Sequence, residues 1–293
     1  MEPIELIAGV WVFPGAVNLG VIAAEGRAVF IDAGLDDSAA RKLWRWAEEA
    51  GLKPHAAILT HAHADHFGGA YLWEKRGLPL YASEPEGAMM ENPEFEPIFL
   101  FSGASPHPEL LSKFTLAKPC RISQTLAQGP LELGSISLEI VALPGHAPAQ
   151  IGVRVGPVLF CADALFPPEI LSKHPIPFCH DFSGALSSLR NVEEAEVVVP
   201  GHGPILRNAE VRGACGEFRD RLEQIKDLVF QETTNPKSAE EILAKVAAEL
   251  GAKLQTITEF LLARTTILAA LTALVREGLV EAVLEGNLLW RRR

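Results

Sequence analysis

Three of the nine histidines in this 293-residue chain fall within six residues, in Thr60-His61-Ala62-His63-Ala64-Asp65-His66, and Phe67-Gly68-Gly69 follows. Residues two apart in an extended segment project the same way, so His61 and His63 can grip a single ion. Asp65 and His66 come one step later, where the chain turns into a helix predicted over residues 68–76, so their side chains diverge toward a neighbouring ion. The spacing implies two cations. The small residues Ala62, Ala64, Gly68 and Gly69 let the backbone crowd the cluster. Three more donors stand where apolar runs end: His146 in Pro144-Gly145-His146, Asp163 in Cys161-Ala162-Asp163, and His202 in Pro200-Gly201-His202-Gly203. Each lies in or beside a turn, so all three can converge on one sheet edge. Imidazole and carboxylate donors without a thiolate motif suit Zn²⁺ best, with Fe or Mn as alternatives.

The ordered set H-x-H-x-D-H with Gly-Gly after it, then Gly-His, then Asp, then Gly-His-Gly, resembles the metallo-β-lactamase superfamily over residues 1 to about 207. That resemblance implies an α/β fold, a four-layer αββα sandwich with a dinuclear metal site on one edge. It also implies that His61, His63 and His146 hold the first metal and Asp65, His66 and His202 the second, with Asp163 bridging. Asp32, in Phe30-Ile31-Asp32-Ala33-Gly34, matches the family's early aspartate. Its expected role is to hydrogen-bond a ligand from behind and fix its orientation; the alternative is a cap for the helix beginning near Ser38. Two divalent ions about 3.5–4 Å apart would lower the pKa of a shared water, hold the bridging hydroxide for attack and polarise the scissile carbonyl or phosphoryl oxygen. Asp65 is then also the catalytic residue that orients this hydroxide and passes its proton on. One departure is Ala147, where relatives often carry a hydroxyl residue.

Short β runs punctuated by turns must position this cluster. Residues 6–13, 19–24 and 28–31 are rich in β-branched and aromatic side chains, with Pro14-Gly15 and Glu25-Gly26 between them, which predicts a meander. Leu43, Trp46, Ala47 and Ala50 recur at helical spacing before Gly51, and a buried strand over 56–60 then feeds the histidines. Residues 84–120 carry Pro85, Pro93, Pro97, Pro106, Pro108 and Pro119 among Met89, Met90, Phe95, Phe99 and Phe101. This stretch reads as a long irregular flap and a candidate lid. Further strands at 131–133, 137–143, 152–155, 158–161 and 197–199 imply two sheets with helices outside. Beyond about residue 207 a capping box, Ser238 with Glu241, opens a helix that Gly251 closes; an apolar-faced helix covers 265–277, and a hairpin turns at Glu285-Gly286-Asn287. Helix, helix and β-wing in that order indicate a small winged-helix-like domain, so the chain divides into a metallohydrolase domain, 1–207, and a C-terminal domain, 208–293. His55, His107, His174 and His180 read as buried structural histidines, and Cys161 as a small core residue.

Hydrophobic residues make up 48% and charged residues 22%, which fits a globular chain, and the net charge of −11 repels a polyphosphate backbone. The four cysteines show no C-x-x-C spacing, the opening Met1-Glu2-Pro3-Ile4-Glu5 is acidic, and no window is uninterruptedly apolar over a membrane span. The expectation is a cytoplasmic protein with no membrane partner and a small-molecule substrate: a thioester, ester or lactone. The Pro-Gly-His-Gly-Pro segment with a winged-helix tail also resembles a branch holding glyoxalase-II-like hydrolases and some endoribonucleases. One alternative is therefore an endoribonuclease or phosphodiesterase, its winged helix and Arg291-Arg292-Arg293 aiding RNA binding. Residues 208–293 hold 12 basic and 13 acidic side chains, which disfavours RNA. Another alternative is a mononuclear iron dioxygenase relative, disfavoured by the intact set Asp65, His66 and His202. The C-terminal domain could instead serve a homodimer.

Overall fold

A computed structural model describes residues 2–293; Met1, the first residue of the acidic opening, lies outside the described residues. The first sheet has seven strands in sequence order: β1 (Ile4–Ile7), β2 (Val10–Phe13), β3 (Leu19–Ala24), β4 (Arg27–Ile31), β5 (Lys53–Ile58), β6 (Leu80–Ser83) and β7 (Gln124–Leu126). Strands β1 to β4 form the antiparallel meander, and β4 to β7 run parallel. The run over residues 6–13 is in fact split by a turn at Gly9, whose φ of 78° suits glycine, so it contributes to two strands. The second sheet has six strands in the order β13-β12-β11-β10-β9-β8: β8 (Gly129–Leu133), β9 (Ile136–Ala142), β10 (Ile151–Val155), β11 (Val158–Ala162), β12 (Val197–Pro200) and β13 (Leu206–Arg207).

The parallel strands need crossovers, and helices supply them. Helix α1 (Asp37–Glu49) links β4 to β5; its N-cap Asp36 accepts from the Ser38 N–H, and Ala40, Leu43 and Ala47 form its buried stripe. Replacing Leu43 with Ala would cost about 2–5 kcal/mol by opening a cavity against the first sheet. Short helices α2 (Ala64–Phe67) and α3 (Ala70–Lys75) link β5 to β6. Leu43, Ala47, Phe67 and Trp73 pack with Val21, Phe30 and Leu59 in one apolar layer. A second layer lies between the sheets, where Val12, Ile22, Ile31 and Ile58 meet Ile140, Val153, Phe160 and Val199. The result is the expected αββα order of layers.

Residues 84–120 are more regular than their proline content predicts. They contain α4 (Glu84–Glu91), α5 (Phe95–Leu100) and a 3₁₀ turn (Pro108–Leu111). Pro85, Pro97 and Pro108 all sit in first turns, where an N–H has no intrahelical partner to lose, so these prolines start helices rather than break them. On the far side of the second sheet lie α6 (Pro168–Lys173), α7 (Phe182–Glu193), α8 (Ala209–Glu232), α9 (Ala239–Leu250) and α10 (Ile257–Arg276), followed by the hairpin of β14 (Val280–Leu284) and β15 (Leu288–Arg292). Helix α10 begins eight residues before the predicted 265, at a second capping box formed by Thr256 and Glu259. Among the described residues it alone is long and apolar enough to cross a membrane, yet half of its most apolar window is buried, and it packs on α7, α8 and α9 as a core helix. Phe218, Leu222, Leu243 and Ile267 share a single core with Leu159 and Val198 of the second sheet.

Candidate metal centre

All the predicted donors leave the C-terminal ends of strands. Strand β4 delivers Asp32, and its parallel neighbour β5 runs on into Thr60 and the histidine cluster. In the second sheet β9 leads to His146, β11 to Asp163 and β12 to His202; these three strands point the same way, since β9 and β11 are both antiparallel to β10 and β12 is parallel to β11. Bonds between the sheets align the two edges: Ile151 N–H donates to Thr60 O at 3.0 Å, and Asn18 N–H to Gly201 O at 2.8 Å.

Seven side chains meet there in three overlapping groups: His61, His63 and His146; His61, His66 and Asp163; and Asp65, His66 and His202, with donor atoms in each group within 4.8 Å of one another. His63 Nδ1 lies 3.1 Å from His61 Nε2 and 2.8 Å from His146 Nε2. Asp163 reaches both halves, its Oδ1 lying 3.3 Å from His66 Nε2 and its Oδ2 3.5 Å from both His146 Nε2 and His202 Nε2. Asp65 Oδ2 is 3.3 Å from His202 Nε2. His61, His66, His146 and Asp163 are buried, whereas the side chains of Asp65 and His202 keep 32% and 22% of their surface exposed, at the mouth.

The other face of each ring fixes its tautomer. His66 Nδ1 donates to Asp32 Oδ2 at 2.7 Å, His202 Nδ1 to Ala16 O at 2.6 Å and His146 Nδ1 to Phe178 O at 3.2 Å, because these oxygens can only accept. Thr60 donates its hydroxyl to Asp32 Oδ2 at 2.9 Å and so accepts from His61 Nδ1 at 3.1 Å. Four Nε2 atoms therefore point inward, those of His61 and His146 as lone pairs, and one proton on His63 Nδ1 could serve only one of its two neighbours. His66 Nε2 and Asp163 Oδ1 are buried without a hydrogen-bond partner. Converging lone pairs and orphaned buried polar atoms are what a cation resolves, so the residues present fit divalent metal.

Electrostatics divide the centre. Burial, reinforced by neighbouring imidazoles, holds His61 and His146 below the usual histidine range and His63 down at about 3. Burial also opposes charge on His66 and His202, but Asp163 with Asp32 holds His66 well above its usual value, and Asp163 with Asp65 holds His202 at about 10. Burial works against the Asp65 carboxylate, yet His66 and His202 bring it down to about 2. One half is neutral imidazole and the other is charge-paired.

Asp32 takes the role of support rather than cap: Asp36 caps α1, while Asp32 binds Thr60 and His66. Gly201 is required by close approach, since a Cβ there would lie 2.0 Å from Asp163 Oδ1. His107, His174 and His180 are exposed and His55 is half-buried, contrary to the expectation of core histidines; hydrophilic surroundings satisfy a surface imidazole without a pocket. Cys161 is buried as expected. Sequence reasoning missed Asn18, whose Nδ2 donates to Pro200 O and Gly203 O, both at 2.9 Å, and so cradles the His202 turn. It also missed Phe178, whose ring stands 5.3 Å from His63 and 5.4 Å from His146.

Residues 12–202 match the Metallo-beta-lactamase superfamily. The chain belongs to that superfamily. Its relatives include Acyl-coenzyme A thioesterase MBLAC2 of Gallus gallus, 26% identical over 201 residues that cover 63% of this chain and 72% of the relative. Another is the Probable metallo-hydrolase YqgX of Bacillus subtilis, 27% identical over 168 residues, covering 56% of this chain and 75% of that one. A Beta-lactamase domain protein from Burkholderia ambifaria shares the fold with a TM-score of 0.77 at 22% identity, covering all of this chain and 94% of its own. The superfamily binds divalent metals, its named relatives are hydrolases, and this member is a metal-dependent hydrolase with His and Asp donors grouped in one edge site.

Proposed function

We propose that this hydrolase cleaves a thioester or ester of an apolar acyl group at a dinuclear centre. His61, His63 and His146 would hold one divalent cation and Asp65, His66 and His202 the other, with Asp163 in reach of both groups; zinc is the first choice of metal. When bound, such a pair supplies an acidified water for attack and a Lewis acid for the carbonyl oxygen. Asp65, about one-third exposed at the mouth, would orient the attacking water and accept its proton. The buried imidazoles and Asp163 hold position and exclude competing water.

The observation that carries the dinuclear reading is the reach of Asp163 to His66, His146 and His202 at once. The acyl preference is supported by the thioesterase relative and by the apolar lid beside the site. Leu100, Leu110 and Leu261 form a cluster joined by Phe101, Phe178 and Phe260, and Phe178 faces the histidines. Glu96 of α5 is half-buried, and burial, then the charges of Asp65 and Glu86, push its carboxyl well above the usual range.

RNA cleavage gains no support from the C-terminal arginines. Arg291 pairs with Glu281 and Glu285, Arg293 with Glu281, and Arg292 lies over the Phe230 ring at 4.2 Å. The boundary at residues 207 and 208 and the cytoplasmic setting, which suits four free buried cysteines, belong to the same reading. The test is a zinc-loaded panel of acyl thioesters, esters and lactones. Cleavage of apolar acyl thioesters or esters, lost in D65N, is expected, and silence across the panel would remove the reading. One iron per chain by elemental analysis would favour the dioxygenase alternative.

A further inference from the structure

Strand β6 ends and α4 begins at a junction that touches both halves of the first donor group from behind. Glu86, 1% exposed, accepts the Ala62 N–H on Oε2 at 2.9 Å and the Ala149 N–H on Oε1 at 2.9 Å. Ala62 stands between His61 and His63, and Ala149 lies three residues beyond His146. Ser83 Oγ, three residues before Glu86, donates to Ala149 O at 2.7 Å, so both backbone groups of Ala149 are held by one junction. The two loops come from different sheets, and one carboxylate spans them.

We propose that Glu86 is a positioning residue for the metal centre, a buried clamp that sets the separation of the His61–His63 loop and the His146 loop. The inference rests on the reading of those three imidazoles as metal donors. Two features support it. First, its two oxygens take one N–H from each loop, so any shift of one loop relative to the other breaks a charge-assisted bond. Second, among the described residues no Lys, Arg or His pairs with Glu86, and a buried carboxylate without a cationic partner is costly. A cation held by His61, His63 and His146 would offset that cost. Metal binding and the Glu86 clamp therefore stabilise one another, and the coupling acts equally in both directions. Glu86 also belongs to α4, the first helix of the 84–120 segment, so that segment is tied to the geometry of the donors.

Glu86→Gln is the direct test. The amide keeps one acceptor but presents an NH₂ to the other loop's N–H, so one of the two bonds becomes a donor facing a donor. Zinc affinity is measured by competition with a chromophoric chelator for the wild-type protein, E86Q and S83A. Cobalt-substituted visible spectra and far-UV circular dichroism of the stripped proteins are recorded beside it. The expected result is a roughly 10–100-fold weaker affinity in E86Q for the ion held by His61, His63 and His146, with a shifted cobalt spectrum and an intact stripped fold. S83A, which removes only the bond to Ala149 O, is expected to lose about threefold to tenfold by the same logic. A wild-type protein that takes up no zinc would overturn the metal reading itself. Wild-type uptake with E86Q affinity and cobalt spectrum unchanged would overturn the clamp alone. If E86Q does not fold, unchanged zinc affinity in S83A overturns it.

Discussion

Asp32→Asn is the sharpest perturbation, because it changes one proton behind the centre and touches no donor atom. Asp32 is 2% exposed and sits at φ 57°, a left-handed conformation that asparagine tolerates as well as aspartate. Its Oδ1 accepts from Thr60 N–H at 2.8 Å, and its Oδ2 from Thr60 Oγ1 and His66 Nδ1. In the variant the amide oxygen can keep Thr60 N–H, and the NH₂ then meets His66 Nδ1. That ring must either leave two donors opposed or shift its proton to Nε2, the atom aimed at Asp163. The opposite amide orientation sets the NH₂ against the buried Thr60 N–H instead. Each arrangement leaves about one unsatisfied buried donor, roughly 1–3 kcal/mol. A 10–100-fold loss of metal affinity is about 1.4–2.7 kcal/mol, the same size. The loss should be larger for the ion held by Asp65, His66 and His202, whose His66 bonds Asp32 directly, than for the ion held by His61, His63 and His146, which Asp32 reaches only through the Thr60 hydroxyl on His61. A stepwise zinc titration against a chelator resolves the two affinities. Equal weakening of both ions, or both affinities within threefold of wild type, would refute the tautomer argument.

Four further outcomes follow from the same geometry. Stripped protein should be most stable near pH 6.5. His63, lowered to about 3, binds its proton more weakly when folded, so stability is lost as pH falls from 6.5 toward 3; His202, raised to about 10, gives stability that is full below 6.5 and lost as pH rises through 10. Thermal melts in chelator across that range check it, and a monotonic trend would contradict it. Zinc loading at pH 7 should release about three protons per chain, two from His66 and His202, which are charged when stripped, and one from the water that the ion pair acidifies, with none from the neutral trio; calorimetry in buffers of different ionisation enthalpy counts them. Gly201→Ala should weaken the same second ion, since its Cβ would fall 2.0 Å from Asp163 Oδ1, and unchanged metal content would show that the turn relaxes. Truncation after Arg207 should give aggregated protein by light scattering, because Phe218, Leu222 and Ile267 complete the core under Leu159 and Val198; a folded, monodisperse fragment would show that the two parts are separable.

The clustering of the candidate donors was legible because its signals are local: a two-residue period in an extended run, and glycine turns at strand ends. The αββα order followed from the same runs together with the family resemblance. What escaped was either generic in type or set by distant contacts. Asn18 bonds to Pro200 and Gly203, about 180 residues away, and nothing near Asn18 announces it. Glu86 is one glutamate among many until two loops arrive at its oxygens. The prolines of residues 84–120 were misread because proline in a first helical turn looks, in sequence, like proline in a loop. The surface histidines were misread because burial is decided by the fold around them.

Anomalous diffraction from zinc-loaded crystals, collected on both sides of the zinc edge, addresses the central assignment most directly. Two peaks are predicted, one bounded by His61, His63 and His146 and the other by Asp65, His66 and His202, with Asp163 between them. A single peak, or peaks away from Asp163, would contradict it.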